Sequence, residues 1–186
     1  MTSITLVLTQ LQQGDKTASD QLLSVVYDEL KKLAISRLSR ERAGQTLQAT
    51  ALVHEVYLRL LGKNVDSKWR DRRQFFAAAT EAMRRILIER ARSKKRVKAG
   101  GNFNRFSLSD IDAASAPEDW LIELDDALDA LAEVDEDAAE MIKLRVFVGL
   151  SLEEASEVIG LSRTSAFRTW TFARAWLKRK LSQPKE

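Results

Sequence analysis

The side chains with the most evident chemistry lie toward the C-terminal end. Leu152, Ala155, Val158 and Ile159 recur at helical spacing, Gly160 permits a tight turn, Leu161 fills the corner and Ser162 can cap a second helix. That second helix has Ala166, Trp170, Ala173 and Leu177 on one side. Arg163, Thr164, Ser165, Phe167, Arg168, Thr171, Arg174 and Lys178 fall outside that stripe. Guanidinium, ammonium and hydroxyl groups bond phosphate oxygens and base edges, and no carboxylate interrupts the set. A short helix, a glycine turn and a longer basic helix form the helix-turn-helix plan, whose second helix enters the major groove of DNA.

A second basic block runs from Arg84 to Arg105, where Arg84, Arg85, Arg90, Arg92, Lys94, Lys95, Arg96, Lys98 and Arg105 face a single acid, Glu89. Trp69 stands just upstream. Cations track phosphates and an indole stacks on an unpaired base, so the pair suits single-stranded nucleic acid; the alternative is a solvated helix end with Trp69 in the core. From Asp110 to Glu140 the sign reverses completely, with many carboxylates and no lysine or arginine. Such a run is most often a solvated face, and the sharper reading is a shield over a basic DNA-binding surface.

Little else in the chain could do bond-making chemistry. There is no cysteine and one histidine, His54, so thiolate or histidine-built metal centres are not expected, nor is any cofactor. Asp125, Asp126 and Asp129 are interleaved with Leu121, Leu124, Leu128 and Leu131, as on the outer face of an amphipathic helix. A nucleic-acid enzyme using those acids and a conventional dimeric helix-turn-helix regulator stand as rival readings. The Ile4 to Leu11 run lacks the flanks of a signal peptide, and no stretch has the roughly 20 apolar residues of a membrane span, which points to a cytoplasmic protein.

The elements that must position these groups are helices. Leu22, Val25, Val26, Leu30, Leu33 and Leu38 recur at threes and fours, as do Leu52, Val53, Val56, Tyr57, Leu60 and Leu61. A third helix spans about Arg73 to Lys95 with Phe75, Phe76, Ala79, Met83, Ile86 and Leu87 inward. Nothing alternates with period two, so the fold is read as all-α. Residues 97–116, rich in Gly, Asn and Ser, read as a flexible linker between two small helical domains, 1–96 and 117–186. Pro117, followed by Glu118 and Asp119, opens the second.

Three segments resemble an extracytoplasmic-function sigma factor: LQATALVHEVYLRL, QFFAAATEAMRRILIERARSKKR and LRVFVGLSLEEASEVIGLSRTSAFRTWTFARAWLKRKL. The resemblance covers nearly all of the chain outside the linker. It implies domains of sigma region two and region four type, bacterial core RNA polymerase and promoter DNA as partners, and transcription initiation as the function; it leaves an anti-sigma factor open. By position it implies polymerase binding at Val53, His54, Glu55, Tyr57 and Arg59. Minus-ten recognition and melting would fall to Trp69, Arg84, Arg85, Arg92 and Lys95. Minus-thirty-five recognition would fall to Arg163, Thr164, Ser165, Phe167, Arg168, Thr171 and Arg174. His54 replaces a common glutamine, Arg85 a frequent asparagine, and Ala166, Phe167 and Thr169 a valine, lysine and aspartate.

Overall fold

In the computed structural model, residues 6–7, 10, 13, 17–38, 46–61, 71–97 and 118–182 are described. Among them the fold is all-α, with seven α-helices, one π-helical segment and no strand. Helix α1 covers Thr17–Leu38, α2 Thr46–Leu61 and α3 Arg72–Val97. Val26, Leu30, Leu33 and Ala34 of α1 meet Leu52, Val53, Val56 and Leu60 of α2 in the core. Phe75, Phe76, Ala79, Met83 and Ile86 of α3 join the same core. Asp71 starts α3 by accepting a 2.8 Å hydrogen bond from the Gln74 amide, an orphan donor of the first turn. Val97 closes the helix, so the predicted linker lies almost entirely in 98–117, outside the described residues.

The C-terminal group begins with α4, Glu118–Val134, which buries Trp120, Leu121, Leu124, Ala127, Leu128 and Leu131. Asp135 makes a corner. Its backbone is extended, its amide still donates to the Leu131 carbonyl, and its carboxylate accepts from the Ala138 amide at 2.9 Å. One residue therefore ends α4 and caps α5, Glu136–Lys143. The chain continues into the π segment Leu144–Val148, which stops at Gly149 with φ 84°. Leu144, Val146, Phe147 and Val148 are all buried, and the segment packs against α1 and α3 as well as α5. The two groups of helices consequently share one continuous core.

Helix α6, Leu152–Ile159, and helix α7, Arg163–Ser182, complete the fold. Ser151 and Glu154 form a reciprocal capping box at 3.2 and 2.8 Å. Gly160 ends α6 in the left-handed region at φ 86°, and both its amide and that of Leu161 return to the Ser156 carbonyl at 2.9 Å. Ser162 then caps α7 through the Ser165 amide.

Two stability predictions follow from local chemistry. A Cβ at Gly160 would meet nothing within 4 Å, so Gly160→Ala tests the backbone alone. Denaturant unfolding should show a loss of about 1–2 kcal/mol, and Gly160→Asn a smaller one. Glu140 of α5 is half-buried, and burial pushes its carboxyl above the ordinary carboxylate range, against the opposing pull of Lys143 and Arg73. An acid raised in the folded state favours folding when protonated, so its ionisation costs stability as pH rises. Glu140→Gln should raise the melting temperature at neutral pH, with the gain vanishing below the ordinary value of 4.5.

Candidate functional site

A short helix, the Gly160 turn and a longer helix follow one another at the predicted spacing. Ala166, Trp170, Ala173 and Leu177 are the buried stripe of α7, packed over α4, α5 and α6. Trp170 is further fixed by the Arg145 guanidinium, 4.0 Å from its ring centroid, and by Arg174 at 5.7 Å. Arg145 comes from the π segment, so that segment ties the orientation of α7 to the rest of the core. Arg163, Thr164, Ser165, Phe167, Arg168 and Thr171 are exposed and Arg174 is half-buried. Phe167, a large aromatic at 63% exposure, stands on this face. The Ser165 hydroxyl accepts from Ser162 within the cap, and Thr171 Oγ1 donates to the Phe167 carbonyl. Arg163, Thr164, Phe167 and Arg168, with Lys178 further along, are thus exposed groups on a carboxylate-free helix.

On α2 the structure separates the expected polymerase-facing residues into three sets. Val53 is 1% exposed and belongs to the core, so its side chain packs under α2 and presents nothing to a partner, which corrects the expectation for that position. His54 is exposed, and Tyr57 half-buried, both edge-on to Tyr27 of α1 at 5.8 and 5.7 Å between centroids. Glu55 and Arg59 turn toward α3. Arg59 donates to Glu89 at 2.7 Å and to Glu55 at 3.3 Å, and Arg90 donates to Glu55 at 3.0 Å. The Glu89 hydrogen bond holds the Arg59 guanidinium above its ordinary range, and the same bond holds Glu89 below its own. Leu58, unremarked in the sequence, is 69% exposed one turn beyond His54. Its signal was present as a leucine out of phase with Val53, Val56 and Leu60.

The basic helix α3 divides its arginines. Arg85 is exposed and donates to Glu81 on its own helix at 2.8 Å. Arg84 is only 13% exposed at the side chain, and its Nε donates to Asp125 of α4 at 2.6 Å. Arg84 Nη2 reaches Asp129 at 3.1 Å, and Arg92 reaches Asp125 at 3.4 Å. Burial opposes the charge on Arg84, but the Asp125 hydrogen bond and the surrounding carboxylates outweigh it and hold the guanidinium above its ordinary range. Trp69 lies outside the described residues, as does the side chain of Lys95. The acidic helix thus meets the basic one directly, a pairing that the charge blocks foreshadowed without giving its partners.

No three carboxylate or histidine side chains converge in a way that could hold a metal ion among the described residues. No helix there is long and apolar enough to cross a membrane. The available chemistry is hydrogen bonding and charge pairing with a polyanion on α7 and α3, and an exposed mixed surface on α2. A family model for ECF sigma factors matches residues 1–183. Neither a search of curated proteins nor one of solved structures finds a significant match. With the family model covering almost the whole chain, the protein belongs to the ECF sigma factor family and is a DNA-binding factor of transcription initiation.

Proposed function

We propose that this chain is an adaptor that binds bacterial core RNA polymerase and directs it to particular promoters, leaving catalysis to the polymerase. The observation that carries the reading is α7, which buries Ala166, Trp170, Ala173 and Leu177 and leaves Arg163, Thr164, Phe167 and Arg168 exposed with no acid among them. In this reading 117–186 is a region-four domain that reads the minus-thirty-five element. The 1–96 domain is region two, and 97–116 is the linker between them. His54, Tyr57 and Leu58, with Glu55 and Arg59 at the edge, supply the polymerase contact. Trp69, Arg84, Arg85, Arg92 and Lys95 hold the melted minus-ten strand. The work is done in the cytoplasm, where an anti-sigma factor is a further candidate partner.

The energetics fit a divided task. Unstacking a base costs a few kcal/mol, and stacking with phosphate contacts returns roughly 1–3 kcal/mol per base. Major-groove contacts by α7 add anchoring at duplex DNA. Neither domain needs to hold a promoter tightly by itself, because polymerase joins the two binding events in one complex.

In vitro transcription with bacterial core polymerase tests the reading: added chain should yield promoter-dependent transcripts and should co-purify with core. A symmetric footprint on duplex DNA by the chain alone, without transcripts, would instead identify a dimeric regulator. Leu58→Asp places a charge on the exposed α2 row and should reduce association with core at least tenfold, with the helical circular dichroism unchanged. Arg168→Ala should weaken use of promoters by about 1–3 kcal/mol per lost base contact while leaving core binding intact.

A further inference from the structure

Arg163, Phe167, Thr171 and Ala175 follow one another at intervals of four and so share one row of α7, and all four are exposed. At 63% exposure the Phe167 ring stands in water, and no other exposed large hydrophobic group lies within one turn of it. Phe172, the other exposed aromatic of α7, is five residues on and roughly 140° around the helix. The stripe of Ala166, Trp170, Ala173 and Leu177 already closes the core side of α7, so the fold makes no use of the Phe167 ring. Local helix formation does not call for it either, since phenylalanine is a poorer helix former than lysine, arginine or alanine.

The rest of the row is short of donors. Thr171 Oγ1 donates to the Phe167 carbonyl at 2.8 Å, so the proton of that hydroxyl is spent inside the helix. Ala175 has a methyl group alone. Beyond Arg163 the row therefore offers a partner a phenyl ring, a threonine whose proton is committed, and a methyl group. Thr164 and Arg168 border this strip on one side, and Arg174 and Lys178 on the other, with no carboxylate anywhere on α7. Cations and hydroxyls on both borders complement a polyanion, and a protein-facing apolar patch would be broader than one ring.

A duplex presents few groups that a phenyl ring can cover. Phosphate and sugar oxygens need donors, and so do N7 and O6 of guanine and N7 of adenine. The one apolar group that a base pair shows in the major groove is the 5-methyl of thymine, and side chains that meet it are of the phenyl and methyl kind. Aromatic wedges between base steps work from the minor groove, whereas a helix fits the major one. Phe167 also falls in the second turn of α7, near the end of a recognition helix that meets base edges.

We propose that Phe167 is a specificity-determining residue that covers the 5-methyl group of a thymine in the major groove, with Thr171 and Ala175 extending the apolar strip and the bordering cations on phosphates, a role that rests on the reading of α7 as the helix that enters duplex DNA. The strip selects a thymine at one position of the upstream element by its methyl group rather than by a hydrogen bond. Uracil, which pairs identically and lacks the methyl, is then a poor substitute at that position.

The test uses the full chain, alone and joined to bacterial core polymerase, and a pool of short duplexes randomised over one window. Each thymine of the recovered duplexes is replaced by uracil, one at a time. One such replacement should weaken binding by the unmodified chain about fourfold, the worth of one methyl group, and binding by F167A no more than about 1.5-fold. F167L keeps an apolar side chain at this exposed position and should retain a loss of about twofold. Uracil losses equal in the unmodified chain and F167A at every position would overturn the proposal. So would weaker association of F167A with core while the uracil losses stay unaltered, which would mark Phe167 as a protein contact. Recovery of methyl-dependent duplexes by the chain alone, with core neither bound nor directed to transcribe them, would end the promoter-recognition reading and leave the role of Phe167 standing. Promoter-dependent transcription with no uracil effect that depends on Phe167 would do the reverse, and recovery of no duplex in either arm would end both.

Discussion

The structure turns on the need to cover α3 on two sides with different chemistry. One arc, including Phe75, Phe76, Met83 and Ile86, is fully buried in the core, where α3 packs against α2 and the π segment. The opposite row presents an isoleucine between two arginines, and a single cover must take the apolar side chain out of water while giving each guanidinium an anion. Helix α4 meets both demands because its leucines and carboxylates alternate at helical spacing. Leu121, Leu124 and Leu128 are buried, whereas Asp125 and Asp129, four residues apart, stand on the row that faces Arg84 and Arg92.

Once α4 is fixed in this way, the position of α7 follows through a chain of short-range constraints. Asp135 serves both helices it joins, so the corner between α4 and α5 has one residue in which to bend. The π segment places Arg145 over Trp170 while burying Phe147, which sets α7 relative to the core by a ring and a charge together. Gly160 and Ser162 then leave little freedom in the turn between α6 and α7. The exposed basic face of α7 is thus held by contacts that run back through the π segment to α3.

Much of this was legible in the sequence wherever one face of one helix decided the matter. The spacing of Ala166, Trp170, Ala173 and Leu177 identified the buried side of α7, because an isolated apolar stripe has one way to be covered. Val53 belongs to the apolar phase of Leu52, Val56 and Leu60, and its burial follows that phase rather than the role that family position implies. Ile88 was the missed clue on α3: an apolar residue midway along a basic row is a sign that another element covers it. The charge blocks were plain, but which carboxylate meets which arginine depends on the packing of helices separated by residues 98–117. The π segment had no periodic signature either, since Leu144, Val146, Phe147 and Val148 are buried all round.

The makeup of the α3–α4 contact also bears on its strength. Arg92 and Asp129 are well exposed, and ion pairs of that kind contribute little individually because water and salt compete for both partners. The Arg84–Asp125 pair is more withdrawn, yet its Coulomb attraction is set against the desolvation of two charges, so the net stabilisation is modest. Ile88 adds an apolar contact of one side chain. A seam made only of leucines would have left the arginines without anions. The arrangement found here instead satisfies the cationic row with carboxylates on the facing helix.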